Sequence, residues 1–137
     1  MEIADTKKTY NNDSGLVYSC QYHVIFTTKY RRKVLVEGVD EEFKKICFDN
    51  QEKFKYKIIE IEVTPDHVHL LIESNPKVGI YNQVSRIKGL SSNIIRNKFA
   101  WVKSRIPTLW TRSKFISTVG SVSLEIVKKY IEDQKNV

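Results

Sequence analysis

Thr64-Pro65-Asp66-His67-Val68-His69-Leu70-Leu71-Ile72 is the stretch on which the reading of this chain turns. Pro65-Asp66 punctuates it, and the residues from His67 onward are β-compatible and carry no helical period, so they predict a short strand. Side chains alternate across a strand: His67, His69 and Leu71 share one face, while Val68, Leu70 and Ile72 form the opposite, core face. The two imidazoles then stand roughly 6–7 Å apart along the strand, close enough to reach one ion. Imidazole is the commonest neutral protein ligand for divalent metals. Two ordinary histidines on a half-exposed strand would give the same pattern, so the rest of the chain has to decide.

Working outward, Ile58–Val63 alternates Ile59, Ile61 and Val63 with Glu60 and Glu62, which predicts a second strand joined to the histidine strand by a tight turn. Val17–Thr28 is rich in aromatic and β-branched residues and reads as a strand with Tyr22, Val24 and Phe26 on one face and Gln21, His23 and Ile25 on the other. Asp40–Phe54 reads as a helix: Phe43, Ile46, Cys47, Asn50 and Phe54 recur at helical spacing, and Asp40-Glu41-Glu42 favour its positive end. A long helix follows from Gly79 to about Val102, with Ile80, Val84, Ile87, Ile94 and Ile95 on its apolar stripe. Lys103–Trp110 is a connector containing Pro107. Phe115–Val119 is a final short strand closed by Gly120, and Ser121-Val-Ser123-Leu-Glu125 has cap chemistry for a last helix. The order is β-α-β-β-α-β, an α+β, ferredoxin-like or RRM-like antiparallel sheet with an added C-terminal helix.

At 137 residues with ordinary globular composition, the chain predicts one domain over 15–137 behind a flexible polar tail over 1–14. No apolar run approaches a membrane span and the first residues lack a signal-peptide core, which points to the cytosol. Cys20 and Cys47 are too few for a disulfide framework and fall on apolar phases, as buried free thiols would. The net charge of +7 makes a polyanion the leading partner class. Lys29, Tyr30, Arg31, Arg32 and Lys33 would suit a phosphate-contacting ramp with a stacking aromatic, or equally a solvated loop. Arg86 and Lys88 lie on the charged side of the long helix, which is either merely wet or DNA-facing.

On the last helix Tyr130 and Gln134 are one turn apart on one face, with Ile126 and Val127 in the same broad stripe. They could be a half-buried core tyrosine beside a surface glutamine. Alternatively the stripe packs over the open sheet face, bringing Tyr130 towards His67 and His69 and offering the Gln134 carbonyl oxygen as a third ligand. A phenol is a poor nucleophile, but it can attack a phosphodiester when a divalent ion polarises the phosphate. The resulting phosphotyrosine ester conserves bond energy, so strand transfer needs no nucleotide, and the chain has no phosphate-binding glycine loop.

Tyr22-His-Val-Ile-Phe-Thr-Thr-Lys-Tyr-Arg-Arg-Lys-Val34, Thr64-Pro-Asp-His-Val-His-Leu-Leu71, Ile87-Lys-Gly89, Phe115-Ile-Ser-Thr-Val-Gly120 and Lys128-Lys-Tyr-Ile-Glu-Asp-Gln134, in that order, closely resemble the TnpA-type single-tyrosine transposases of small bacterial and archaeal insertion sequences, members of the HUH nuclease superfamily. The resemblance covers Tyr18 to Gln134. It implies a cytoplasmic DNA transposase acting on single strands marked by hairpins, through a 5′-phosphotyrosine link. By position it implies His67, His69 and Gln134 as ligands of magnesium or manganese and Tyr130 as nucleophile. It also implies a homodimer in which the tyrosine helix of one subunit completes the other's site. Trp110-Thr-Arg-Ser113 departs from the Trp-Ser-Pro-Ser expected there, in a loop whose Arg112 would face DNA. His23 matches a family position and reads as a hydrogen-bonded sheet histidine.

Two other readings fit the residues. An RRM-like sheet with basic edges could be a non-catalytic module for single-stranded nucleic acid, although its central strands lack the expected aromatics. A metal-dependent hydrolase using water would leave Tyr130 structural.

Overall fold

The computed structural model describes residues 10–119 and 124–137. Its elements are the strands β1 (Asn11–Asp13), β2 (Leu16–Tyr18) and β3 (Gln21–Thr27), the helices α1 (Val39–Asp49) and α2 (Gln51–Phe54), the strands β4 (Tyr56–Thr64) and β5 (His67–Ser74), the helices α3 (Ile80–Lys98) and α4 (Ala100–Arg105), β6 (Phe115–Thr118) and α5 (Leu124–Asp133). The main sheet is antiparallel in the order β4-β5-β3-β6, the expected ferredoxin-like arrangement with the first and third of its four strands central. No helix among the described residues is long and apolar enough to cross a membrane.

The alternation read in β5 sets the layers. Val68, Leu70 and Ile72 are fully buried and pair with Phe26, Val24 and Tyr22 of β3. With Phe43 and Ile46 of α1 and Val84, Ile87 and Ile95 of α3 they make the principal core. Phe26, Phe43 and Trp110 meet edge to face there, an arrangement favoured by the ring quadrupoles. A smaller cluster of Ile25, Val127 and Ile131, flanked by Phe115 and Tyr130, forms on the opposite sheet face, where α5 lies.

Several boundaries differ from the sequence expectation. The strand read over 17–28 is two strands: β2 pairs with Asn11–Asp13 in a hairpin, so part of the stretch read as tail is strand, while residues 1–9 lie outside the described residues. The capping residues read at 120–123 also lie outside them. The helix over 40–54 breaks at Asn50, whose side-chain amide donates to the Ile46 carbonyl at 2.8 Å. The long helix stops at Phe99 and resumes as α4, so part of the expected connector is helical. In β4 a bulge lies between Ile58 and Glu60, placing Tyr56 and Ile58 on the core face and exposing Ile59. Cys47 is buried and Cys20 half-buried; both are free.

One buried polar junction ties α3 to the sheet. Gln83 is fully buried; its Oε1 accepts from the Ser74 hydroxyl at 2.5 Å, and its Nε2 donates to the carbonyls of Phe54 and Lys55 at 3.2 and 2.6 Å. Replacing it by leucine strands those groups in a dry interior. Gln83→Leu is expected to cost about 2–3 kcal/mol, read as a lower urea midpoint at unchanged slope.

Candidate active site

The face of β5 opposite the principal core carries His67 and His69, as alternation requires. His67 is held from behind. Thr64 Oγ1 donates to the His67 carbonyl (3.1 Å) and therefore accepts from Nδ1 (2.7 Å), and Asp66 Oδ1 accepts from the same nitrogen at 2.7 Å. This network puts the proton on Nδ1 and leaves the Nε2 lone pair for a ligand. Asp66 Oδ2 in turn accepts from Arg31 Nε and Nη2 at 3.1 and 3.0 Å. Burial pushes the Asp66 carboxyl up, but its bonds to His67 and Arg31 outweigh that and hold it below the usual carboxylate range. A carboxylate behind a histidine is the usual way of orienting a metal-binding ring and raising its basicity.

His69 is buried, and its Nε2 lies 3.0 Å from Nδ1 of His23, which reaches it from the adjacent strand. His23 is thus the hydrogen-bonded sheet histidine expected, and its partner is a site residue. Burial, with the two neighbouring histidines, pulls His69 down to about 4. Burial also lowers His23. Both rings are neutral at physiological pH, the form in which imidazole binds metal.

This has a consequence for stability. Unfolded His69 takes up a proton near pH 6.5, the folded ring only near 4, so between these values the unfolded state binds more protons and stability falls as pH falls. Acidification from pH 7 to pH 5 is expected to cost roughly 2 kcal/mol. Urea midpoints should show it, and most of the loss should vanish in His69→Asn.

Helix α5 lies against the same sheet face, with Val127 and Ile131 packed on Ile25. A cavity of about 360 Å³ separates it from His67, lined by Glu62, Thr64, Val127, Lys128 and Glu132 among others. Tyr130 is half-buried; its ring packs on Phe115 at 5.4 Å and its hydroxyl lies 3.0 Å from Ser113 Oγ. Burial raises its pKa, opposed by the Ser113 bond. Ile25 pairs with both His69 and Phe115, so two strand spacings, about 9–10 Å, separate the backbone bearing His69 from that under the Tyr130 ring. Gln134 is buried, and its Oε1 has no hydrogen-bond partner among the described residues. A buried amide oxygen left without a donor is costly unless something else binds it. Two imidazoles and such an oxygen are a donor set that fits a divalent cation. Among the described residues no cluster of three His, Cys, Asp or Glu side chains is poised for a metal, so any such site draws on Gln134 or the substrate.

The candidate DNA contacts fall into three groups. Arg32, Lys33, Arg86 and Arg112 are exposed, and Tyr30 is 44% exposed beneath the Lys29 ammonium. Arg31 is diverted to Asp66 and Glu132, a positioning duty that its place in a run of cations did not signal. Lys88 is buried and donates to the carbonyls of Thr111, Arg112 and Ser113 at 2.7, 3.4 and 3.1 Å, pinning the loop that presents Ser113 to Tyr130. Burial and Lys114 lower its ammonium to about 8. Asp66, Thr64 and Ser113 are the site residues that the sequence reading missed.

The sequence profile of a family described as IS200-like transposases matches residues 16–134. The ISDra2 transposase TnpA of Deinococcus radiodurans is 36% identical over 122 residues, covering 88% of this chain and 87% of that protein. The transposase for insertion sequence element IS200 of Salmonella typhimurium is 29% identical over 127 residues, covering 86% and 81%. Among solved structures, a Deinococcus radiodurans R1 protein assigned as a transposase superposes with a TM-score of 0.83 at 33% identity, covering 93% of this chain and 99% of that one. A REP-associated tyrosine transposase bound to a REP hairpin superposes at 0.57 with 11% identity, over 96% of this chain and 68% of that one, and shares the fold.

Proposed function

The chain belongs to the IS200-like transposase family, a DNA-cleaving and strand-transferring class, and from that premise we propose that it cuts and rejoins single-stranded DNA at hairpin-marked element ends with Tyr130 as nucleophile. The observation that carries this reading is the shared sheet face. His67, backed by Asp66, and neutral His69 stand on it, α5 packs Tyr130 against it, and the buried Gln134 just past α5 has an amide oxygen without a partner among the described residues.

In the proposed step the Tyr130 oxygen bonds to a backbone phosphorus and the bond to the 3′ oxygen breaks. That oxygen leaves as a hydroxyl carrying the proton the phenol gave up, and the 5′ phosphate stays on the tyrosine. Attack by a 3′-hydroxyl on this ester reverses the step and rejoins DNA without a nucleotide cofactor. His67 through Nε2, His69 and Gln134 would hold magnesium or manganese, which when bound polarises the phosphate and offsets its developing charge. Asp66 fixes the His67 ring and its tautomer, and Arg31 keeps that carboxylate ionised. Ser113 holds the phenol hydroxyl on the β6 side, so Tyr130 must leave Ser113 to reach its own histidines or serve those of a second subunit; we take the working form to be a homodimer. Recognition of a hairpin is supported by the fold shared with the REP-bound transposase.

The test is to incubate end-labelled single-stranded hairpin DNA with the protein, with and without magnesium or manganese, and run a denaturing gel. A metal-dependent adduct that survives boiling in detergent is the expected product. Cleavage without an adduct would instead mean a hydrolase using water, and binding without cleavage a non-catalytic module.

A further inference from the structure

On the sheet face that carries the histidines, the strand registers set out a grid. Across β4, β5 and β3, Thr64, His67 and Thr27 make one row, Glu62, His69 and Ile25 the next, and Glu60, Leu71 and His23 the one beyond. His23 therefore stands diagonally behind His69, on the side away from His67. Its Nδ1 lies 3.0 Å from Nε2 of His69, with the ring centroids 5.2 Å apart, and both rings are buried. The Nε2 end of His69 is thus turned away from His67. The two nitrogens of an imidazole point well apart, so Nδ1 of His69 is turned back to the His67 side, and it bonds to no described residue.

One proton lies between the facing nitrogens, and its position decides what His69 can do. If it sits on His23, the Nε2 lone pair of His69 is spent on it, and the neutral His69 ring carries its own proton on Nδ1. No lone pair is then left for an ion. If it sits on His69, Nδ1 keeps its lone pair, on the side where Nε2 of His67 is also free. In a metal-binding histidine the hydrogen bond made by one nitrogen sets which nitrogen takes the metal, and the outer partner fixes the ring. We propose that His23 is a positioning residue: its Nδ1 accepts from His69 Nε2–H, so that His69 meets the ion through Nδ1 while His67 meets it through Nε2. A second observation supports a role for His23 beyond the sheet. Its other nitrogen, Nε2, is buried with no partner among the described residues. Such groups are rare and call for an explanation. An apolar side chain would serve the sheet without that cost; only an imidazole or an amide also offers His69 an acceptor at this point. The inference rests on the reading of His67 and His69 as metal ligands. It gives the second histidine the outer partner that Asp66 is for the first.

The test is nuclear magnetic resonance of the full chain with isotope-labelled histidine, whose three histidines can be assigned by single substitutions. Without metal at neutral pH, long-range nitrogen–proton correlations should show His69 protonated on Nε2 and bare on Nδ1. On adding zinc, a diamagnetic ion with strong affinity for imidazole, Nδ1 of His69 and Nε2 of His67 should shift. A metal-free His69 protonated on Nδ1, or a zinc shift at its Nε2, overturns the assignment and leaves the transposase reading intact. Manganese affinity by titration calorimetry is the second readout. His23→Leu, which leaves no acceptor, should lose about 10–100-fold and show mixed tautomers at His69. His23→Asn, whose Oδ1 takes the place of Nδ1, should restore most of the affinity and the single tautomer. A histidine that served only the sheet would move the melting temperature and leave the tautomer alone. Wild-type affinity in folded His23→Leu, or an equal loss in His23→Asn, removes His23 from this role. Should His23→Leu lose its cooperative melt, the wild-type tautomer and His23→Asn decide. A wild-type chain in which neither zinc nor manganese touches His67 or His69 overturns the metal-ligand reading together with this one.

Discussion

Tyr130→Phe is expected to abolish the covalent protein–DNA adduct, lowering its rate of formation by at least roughly 10³-fold, because no other hydroxyl on α5 replaces the attacking atom. The ring still packs on Phe115, and only the bond to Ser113 is lost. A single half-buried hydrogen bond is worth about 1 kcal/mol, so the variant stays folded and its affinity for hairpin DNA stays near wild type. Loss of the adduct with retained binding separates chemistry from recognition. A mixture of Tyr130→Phe and His67→Ala chains tests which subunit the phenol serves. If the tyrosine helix acts across a dimer, one class of mixed dimer keeps one intact site and adducts reappear; if it acts within its own chain, they do not. An adduct forming at the wild-type rate in Tyr130→Phe would remove the phenol from the mechanism.

The parts of the fold legible in the sequence were those with a period. The two-residue alternation of β5 placed its histidines and its core face correctly, and β3 followed the same rule. The bulge in β4 left no such mark: one inserted residue, Ile59, is as apolar as Ile58 and Ile61, so the expected alternation ran through it unbroken. The break at Phe99 likewise lacks glycine or proline, and α4 restarts without a cap side chain. Lys88 could have been read better. It follows Val84 by four residues and precedes Ser91 by three, in phase with the buried face of α3, and a cation in that phase needs internal acceptors. Asp66 was legible only as turn punctuation, because its partners are distributed: His67 is adjacent, Arg31 lies 35 positions earlier, and only the pairing of β3 with β5 brings them together. Ser113 and Tyr130 meet through the docking of α5, which no local pattern encodes.

The second large effect belongs to the histidine face. His67→Ala is expected to lower metal-dependent cleavage by roughly 10³-fold and to weaken binding of manganese, read by titration calorimetry, to the level of an unstructured chain. The companion change is milder and more diagnostic. Asp66→Asn keeps an oxygen near His67 Nδ1 but removes the charge that Arg31 holds ionised and that raises the basicity of the ring. A change at this depth behind a metal ligand costs about 10–100-fold in metal affinity or activity. The ion pair itself is only partly buried and contributes little to folding, so the variant should melt close to wild type. If the ring is a metal ligand oriented from behind, His67→Ala and Asp66→Asn lose manganese affinity in that order and cleavage in the same proportion. If instead both variants bind manganese as tightly as wild type, or wild-type cleavage proceeds unchanged in EDTA, the imidazole pair holds no catalytic ion and the shared face must act on DNA in some other way.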